Sequence, residues 1–377
     1  MQGKLQGNFQ LGVEYLKPTE KSGTSRCGKR LLFSGLSLVA GTMIVLAGCG
    51  QKPTVETSPT VAPSVAPTLA MQATPLPTAT PEPVYPYLYP LTGLGTDKKV
   101  TERPIMVMVE NQEKARPQTG LTQADIVYEI LAEGDITRFV AVYQSQAPKI
   151  IGPVRSIRPY FVEIGDGLDA LIVHAGWSQA AMNMLVARKL DHFDEVYGDG
   201  AYYWRDSSRK APHNLYTSIE LIKKGAEHKK FRTEWRNPEL LFDEEDATPQ
   251  GEPANEVTVH YIQGYYVTYQ YDETTKQYAR FMLGEPHTDK ESGEQITTKN
   301  IMVCFADHKI LDDKGRRAVD VNGPGKGYLI EDGKVREIVW KRENGVIRPY
   351  IDGREVGLLP GKTWVQVVPI GSKVEFE

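Results

Sequence analysis

An uncharged, mostly apolar stretch from Leu31 to Cys49 determines which residues of this chain are available for folding. It follows a positively charged segment with Lys29 and Arg30, and it ends in Leu46-Ala47-Gly48-Cys49. A positive start, an apolar middle and small residues before a cleavage point are typical of a secretory signal. A cysteine directly after Leu-Ala-Gly supplies the thiol that accepts diacylglycerol. We therefore predict cleavage after residue 48 and lipidation of Cys49.

The alternative interpretation of residues 31–49 is one transmembrane helix ending in a cysteine by chance, since a spanning helix needs about 20 mostly apolar residues. We favour a lipoprotein signal peptide over residues 1–48, with diacylglyceryl and palmitate groups on Cys49. Two or more acyl chains hold a protein stably on a bilayer. The predicted location is the extracytoplasmic face of the cell membrane, lipid-anchored, as in a Gram-positive envelope.

Residues 49–88 are predicted to form a tether. Ten prolines and seven threonines lie between positions 51 and 90, where the charged residues are Lys52, Glu56 and Glu82. Such a segment buries too little apolar surface to fold, and its prolines keep it extended. At about 3.1 Å per residue it would reach roughly 100 Å and hold the remaining chain away from the membrane.

The net charge excludes a non-specific nucleic-acid-binding protein, and the cysteine content excludes a protein held by disulfides within the chain. The whole chain carries a formal net charge of −4, and residues 1–48 contain six basic and two acidic residues, so the remainder carries −8. Nucleic-acid binding needs a basic surface, so we expect no nucleic-acid partner. With Cys27 cleaved off and Cys49 acylated, the remaining Cys304 has no disulfide partner in the chain. Because Cys304 lies in an apolar run, we expect a buried structural thiol.

Residues 89–237 alternate strand-like and helix-like segments, which is typical of a mixed α/β domain. Strands are predicted at 104–110, 126–131, 138–144 and 170–174. Helices are predicted at 178–188 and 218–226, with Ser178 as the N-cap of the first. Residues 238–256 are acidic, contain three prolines and are expected to link this domain to the next.

Residues 257–377 are predicted to form a smaller, mainly antiparallel β domain with a small sheet or barrel of its own. Hairpin turns are indicated at Gln263-Gly264, Asp332-Gly333, Asn344-Gly345 and Asp352-Gly353. Core bulk is expected from Trp340, Tyr350 and Trp364. The predicted fold class is therefore α+β.

A group of arginines beside glycine, proline and short polar segments indicates a ligand site. Arg138 follows Thr137, Arg155 and Arg158 lie within 152–159, and Arg205 precedes an aspartate. If a helix begins at 153–158, Arg155 and Arg158 share one face near backbone N–H groups that favour anions. Arginines from several loops can converge on phosphate or carboxylate. The alternative is surface pairing with neighbouring carboxylates, namely Glu129, Glu133, Asp135 and Asp206.

Three further polar residues join the candidate site. His174 ends an apolar strand before a helix, where ligand sites of α/β folds form. A buried structural histidine is the alternative at that position. His213 and Asn214 share a loop and either bind ligand or close a turn. The predicted ligand-binding residues are therefore Arg138, Arg155, Arg158, His174, Arg205, His213 and Asn214.

The sequence gives no support for metal, cofactor or nucleophile chemistry. The seven histidines lack spacings such as His-x3-His, and Gly-x-Ser-x-Gly is missing. The glycine-rich run 323–327 lacks the P-loop pattern and lies among predicted hairpins, which favours a turn. We therefore assign no metal, no cofactor and no catalytic residue.

Several short motifs resemble the YerB-like lipoproteins of Firmicutes. They span residues 90–370 and include 90–93, 124–129, 136–138, 152–156, 174–176, 212–216 and 361–364. The resemblance implies a lipid anchor, a mixed N-terminal domain and a smaller C-terminal domain, and it implies no particular activity. Where many relatives have two glycines, this chain has Gly134-Asp135 and Gly176-Trp177, which puts a role for the second glycines in doubt.

Three hypotheses about function follow. We favour a non-enzymatic envelope lipoprotein that binds an anionic cell-wall polymer or an envelope protein through its arginines. The second is an enzyme acting on a wall polymer or its pyrophosphate-linked precursor, favoured if Asp125, His174 and the arginines share a pocket. A faint likeness to the LytR-CpsA-Psr transferases supports it, although Pro159 replaces an aspartate of that family. The third is a scaffold or chaperone for membrane enzymes, favoured by a large exposed apolar patch.

The leader yields a direct prediction. Mass spectrometry of the mature protein should find Cys49 as the first residue, carrying acyl groups, because the thiol at that position accepts the lipid. An unprocessed N-terminus without acyl groups would contradict the assignment and remove the basis for the tether.

Overall fold

The computed structural model describes residues 85–236, 238–244 and 247–377. The predicted signal peptide over 1–48, Cys49 and the tether up to residue 84 lie outside these residues. Three α-helices are present in the described ranges: α1 (Pro159–Gly167), α2 (Gln179–Ala187) and α3 (Ile219–His228). Short 3-10 turns lie at Glu113–Ala115, Leu121–Gln123, Glu133–Asp135 and Gly200–Tyr202. None of the helices in these ranges has the length and apolar character required to span a membrane.

Strands make up most of the regular structure. The strands in 85–236 are β1 (Tyr87–Leu88), β2 (Gly95–Thr96), β3 (Ile105–Glu110), β4 (Ile126–Leu131), β5 (Thr137–Tyr143), β6 (Leu171–His174), β7 (His192–Asp194), β8 (Trp204–Arg205) and β9 (Leu215–Tyr216). The strands in 247–377 are β10 (Glu252–Pro253), β11 (Glu256–Ile262), β12 (Tyr265–Asp272), β13 (Gln277–Met282), β14 (Glu285–Pro286), β15 (Thr297–Thr298), β16 (Asn300–Ala306), β17 (His308–Ile310), β18 (Arg317–Val319), β19 (Gly325–Glu331), β20 (Lys334–Glu343), β21 (Val346–Ile351), β22 (Arg354–Glu355), β23 (Thr363–Pro369) and β24 (Val374–Phe376).

One large mixed sheet contains strands from both halves of the chain. Its strand order is β22-β21-β20-β19-β16-β23-β4-β5-β3-β6-β7, with β10 paired to β20. Strand β23 lies between β16 and β4 and is parallel to both, with Trp364 opposite Val127 in the register. Backbone hydrogen bonds therefore join residues 300–369 directly to residues 105–143.

The central strands are buried on both faces, so their alternate side chains enter two different cores. In β3, Val107 and Val109 point into one core together with residues of α3 and of β11 to β13. Met106 and Met108 point into the other core, which also contains residues of α1 and α2. The strand is apolar at every position but its last because neither face meets solvent.

A second, antiparallel sheet covers one face of the central sheet. Its strand order is β14-β13-β12-β11-β24, with β15 paired to β13. Glu129 of β4 and Arg280 of β13 form a fully buried ion pair between the sheets, with Nη2 and Oε2 2.6 Å apart. Glu129 also accepts hydrogen bonds from the hydroxyls of Tyr265, at 2.6 Å, and Thr137, at 2.8 Å. The indole ring of Trp364 lies 4.4 Å from the Arg280 guanidinium carbon, so both charges are enclosed by polar or aromatic partners.

Many local predictions are confirmed. The strands predicted in the first half agree with β3, β4, β5 and β6 within one residue at each end. The hydroxyl of Ser178 accepts a hydrogen bond from the backbone N–H of Ala181, so Ser178 is the predicted N-cap, and Ser218 caps α3 in the same way. The four predicted dipeptide turns lie between paired strands. Trp340 and Trp364 are buried core residues, and burial raises the pKa of the Cys304 thiol well above its usual value.

Other expectations differ from the structure. The protein is strand-rich, with less helix than a mixed α/β first domain implies. Residues 153–158 do not begin a helix, because α1 begins at Pro159 with Arg158 as its extended N-cap. Most strands after residue 257 divide between two sheets: β11 to β15 and β24 form a small antiparallel sheet, whereas β16 and β19 to β23 join the large sheet. The final residues of the predicted tether are paired, since Tyr87 and Leu88 form β1 opposite β2.

The buried ion pair provides a stability test. We expect Arg280→Met to lower the free energy of unfolding by about 3–5 kcal/mol, because Glu129 would remain buried without its counter-ion. In the matched control, Lys223→Met, the loss should stay below about 1 kcal/mol, because the Lys223–Glu102 pair is mostly exposed. Urea denaturation of both variants measures the difference, and equal losses would contradict the role given to the pair.

Candidate functional site

A cleft of about 470 Å³ opens at one end of the central strands of the large sheet, where β3 and β4 end and β5 begins. Its cationic lining residues are Arg138, Arg155, Arg158, Lys314 and Arg316, and its acidic lining residues are Glu110 and Glu133. Three of the seven predicted site residues therefore share one concave surface, and the cationic groups outnumber the carboxylates.

Arg138 and Arg158 are held in place by one carboxylate and by backbone carbonyls. Arg138 donates to Glu133 at 2.8 Å and to the carbonyl of Ser156 at 3.0 Å. Arg158 donates from Nε to the same carboxylate and from Nη1 to the carbonyl of Ile157 at 2.6 Å. Burial and the charge of Arg158 lower the pKa of Arg138 to about 10, so Arg138 stays protonated at neutral pH. Partial burial opposes ionisation of Glu133, but the two arginines lower its pKa.

Arg155 is the least constrained of the three arginines. Its Nε lies 3.0 Å from Oε1 of Glu110, yet the N–H is not directed to form a hydrogen bond with that oxygen. Among the described residues, its guanidinium makes no hydrogen bond. The side chain is about a quarter exposed and lines the cleft. Because Nε is buried, the terminal Nη groups are the donors left for an acceptor that enters from solvent.

The loop that contains His213 reaches the cleft through Glu110. His213 Nδ1 lies 3.0 Å from Glu110 Oε2, so one buried carboxylate contacts both Arg155 and His213. Arg205 and Asn214 do not line the cleft. They bond to each other at 3.1 Å, and Arg205 also pairs with Glu195 at 3.0 Å. These two residues therefore shape the loop that carries His213.

His174 is a buried structural residue outside the cleft. Its Nδ1 lies 3.0 Å from the carbonyl of Gly176, and its Nε2 lies 3.1 Å from Nδ1 of His192. Burial lowers the pKa of His174 to about 3, and the neighbouring His192 adds to the effect. Because both ring nitrogens have partners inside the protein, His174 supports the strand next to Arg155 but cannot contact a ligand in the cleft.

Sequence reasoning missed the two cations that come from the second half of the chain. Lys314 and Arg316 lie in the turn between β17 and β18, and both line the cleft. The hairpin is attached to the cleft by Arg317, which donates to the carbonyl of Ala132 and pairs with Asp135. The charged run around Lys314 is visible in the sequence, but no local pattern indicates which distant loop it meets.

Asp135 lies where the resemblance to YerB-like lipoproteins implied a second glycine. Its φ is +58°, in the left-handed region that favours glycine and tolerates aspartate better than most residues. The substitution is therefore compatible with the backbone, and it supplies the carboxylate that pairs with Arg317.

The structure does not gather the groups needed for the enzyme hypothesis. Asp125 is buried near the far end of β5, where its carboxylate accepts from the backbone N–H groups of Gln144 and Ser145. Neither Asp125 nor His174 lines the cleft. Within the described ranges, no three or more acidic, histidine or cysteine side chains are grouped so as to hold a metal ion.

Comparisons with known proteins agree with the motifs seen in the sequence. The family "Protein of unknown function (DUF3048)" matches through its N-terminal domain at residues 91–232 and its C-terminal domain at residues 257–365. A Bacillus subtilis (strain 168) protein named "Putative lipoprotein YerB" is 45% identical over 295 residues, covering 77% of this chain and 89% of that protein. The crystal structure of the YerB protein from Bacillus subtilis is similar with a TM-score of 0.71 and 42% identity, over 77% of this chain and 99% of that chain. The resemblance to YerB-like lipoproteins is thus confirmed.

The environment of His174 predicts how it responds to pH. Its ring should stay neutral in the native protein between pH 8 and pH 5, because its pKa lies at about 3. In urea the same ring should titrate near its ordinary value of about 6.5. Between about pH 3 and pH 6.5 the unfolded state then binds more protons than the native state does. The contribution of His174 to stability therefore falls as the pH decreases below about 6.5. NMR of the imidazole resonances tests this, and native titration near pH 6.5 would contradict it.

Proposed function

This chain belongs to the DUF3048 family, and on that premise we propose that it is an extracytoplasmic, membrane-anchored lipoprotein whose arginine-lined cleft binds an anionic ligand of the cell envelope. It would act as a binding or accessory protein. The name of its Bacillus subtilis relative and the apolar leader ending at Cys49 support the lipid anchor.

The observation that carries the binding proposal is the unsatisfied guanidinium of Arg155. The Nε–H of that side chain is buried and makes no hydrogen bond, although it forms an ion pair with Glu110. Desolvation of a polar group is costly when no hydrogen bond replaces water, so a further anion beside Arg155 is favoured. Glu110 is shared with His213. Lys314 and Arg316 also line the cleft, with Arg316 paired to Asp312.

Phosphate is the anion that fits this arrangement best. Arginine presents two parallel N–H donors to phosphate or carboxylate, and such charge-assisted bonds are about twice as strong as neutral ones. Arg138 and Arg158 are already oriented by Glu133 and by backbone carbonyls, so little side-chain entropy is lost when an anion binds. Cell-wall polymers that carry phosphate groups are therefore the partners that we propose.

An enzyme of wall-polymer metabolism remains the weaker alternative. It would need a general base or nucleophile within reach of the bound anion. The two side chains considered for that role, Asp125 and His174, are buried and bonded elsewhere. No observation in the cleft favours catalysis over binding.

The proposal predicts which substitutions reduce anion binding. Arg155→Ala should weaken binding of inorganic phosphate by about tenfold or more, the equivalent of one charge-assisted hydrogen bond. Arg158→Ala should weaken it as well, because it leaves Glu133 less neutralised beside the anion. Isothermal titration calorimetry at low and high salt measures both effects, and salt should weaken binding throughout.

Arg188→Ala is the matched control, because Arg188 pairs with Glu163 and Asp166 outside the cleft and its removal should leave phosphate binding unchanged. If Arg155→Ala binds phosphate with the same affinity as the unmodified protein or as Arg188→Ala, the arginines are structural and the binding proposal is wrong.

A further inference from the structure

We infer that the ligand is a phosphate ester of a sugar or polyol, with its phosphate in the arginine-lined cleft and its hydroxylated organic group in an adjoining groove. The inference rests on the proposed function and specifies the ligand class. The groove has a volume of about 700 Å³, within the range that takes small organic ligands.

The cleft and the groove are neighbours with a common wall. Gln112, Ile136 and Thr137 line both of them. Gln112 is partly exposed, and its side-chain amide has no hydrogen-bond partner among the described residues. A ligand that extends from one cavity into the other therefore passes an amide that can donate to or accept from a hydroxyl group.

The groove has a rigid, polar floor. Asn111 Nδ2 donates to the hydroxyls of Thr137 and Tyr265, at 2.7 Å in each case. Arg116 donates to the backbone and side-chain oxygens of Asn111 and lies 5.6 Å from the centre of the Tyr265 ring. Because these groups are bonded to one another, the floor keeps its shape when a ligand enters, which limits the entropy lost on binding.

The groove walls differ in chemistry from the cleft. Met282, Leu283 and Pro286 supply apolar surface. The carboxylates Glu113, Asp135 and Glu285 also line the groove, beside Lys114 and Arg116. The lining carboxylates outnumber these two cations, so a second anionic group is disfavoured relative to a neutral one. An acyl chain is disfavoured as well, because it would displace water from the charged lining groups.

A sugar or polyol satisfies both requirements. Its hydroxyl groups can bond to Gln112 and the polar rim, and its C–H faces can pack on the apolar side chains and on Tyr265. A protein surface with a cationic cleft beside a groove of mixed polarity favours such an ester over inorganic phosphate and over polyphosphate.

The test compares inorganic phosphate with glucose 1-phosphate by calorimetry on the full folded protein. We expect glucose 1-phosphate to bind at least about tenfold more tightly, the equivalent of one or two added contacts. Leu283→Asp should remove that gain and leave the affinity for inorganic phosphate unchanged. Leu283 is 41% exposed and has a φ of +55°, a conformation that aspartate tolerates, so this variant should fold.

Two further variants complete the design. Val186→Asp, at a position 64% exposed outside both cavities, is the matched control and should bind both ligands normally. Gln112→Ala should reduce the gain for the ester without adding charge. If both ligands bind equally and Leu283→Asp has no effect while Arg155→Ala still weakens binding, the ester inference is wrong and the proposed function stands. If Arg155→Ala changes neither affinity, both are wrong.

Purified cell walls distinguish a polymer from a free ester. Walls should retain the protein, and walls stripped of phosphate esters by hydrofluoric acid should not, if the ester belongs to a wall polymer. Binding of glucose 1-phosphate without retention on untreated walls would support the ester class with a soluble source. Equal retention on stripped and untreated walls, with no gain for glucose 1-phosphate, would overturn the inference.

Discussion

The contact between Glu129 and Arg280 is the interaction on which the packing of the two sheets depends. Burying two charges is costly, and the cost is offset only when the pair is close and the remaining donors and acceptors are satisfied. Here the carboxylate accepts from two hydroxyls, and the guanidinium lies against an indole ring. Misplacement of either sheet would leave an unpaired charge in an apolar core, so the pair fixes the position of β13 over β4.

The same network reaches the candidate site. Thr137 donates to Glu129 and lines both the cleft and the groove. Tyr265 also donates to Glu129 and forms part of the groove. The floor of the candidate site is thus held by the polar core, while Arg138 and Arg158 are held by a further carboxylate, Glu133. Rigid support of this kind favours selective binding over general attraction of anions.

Local features of the fold could be predicted from the sequence, and long-range ones could not. Apolar and β-branched residues located β4, and a serine cap located α2. Helix α1 was not predicted, because glycines such as those at 165 and 167 are poor helix formers, although Gly165 allows close approach to Ile172. The position of β23 depends on pairing between segments far apart in the sequence, which periodicity does not encode. Among the site residues, Arg138, Arg155 and Arg158 were predicted from the sequence as one group. Lys314 and Arg316 were not, because their proximity to these arginines depends on the same long-range strand pairing.

Because β23 lies between β16 and β4, the large sheet can form completely only after residues 363–369 have been synthesised. Residues 126–131 are synthesised long before residues 363–369, yet these two segments are adjacent in the large sheet. Until the later strand arrives, β4 has an open edge that can pair with another chain. Synthesis therefore has to be almost finished before this edge closes, and such distant pairing is slow to form. During that interval β4 is the part of the central sheet most open to pairing with another chain.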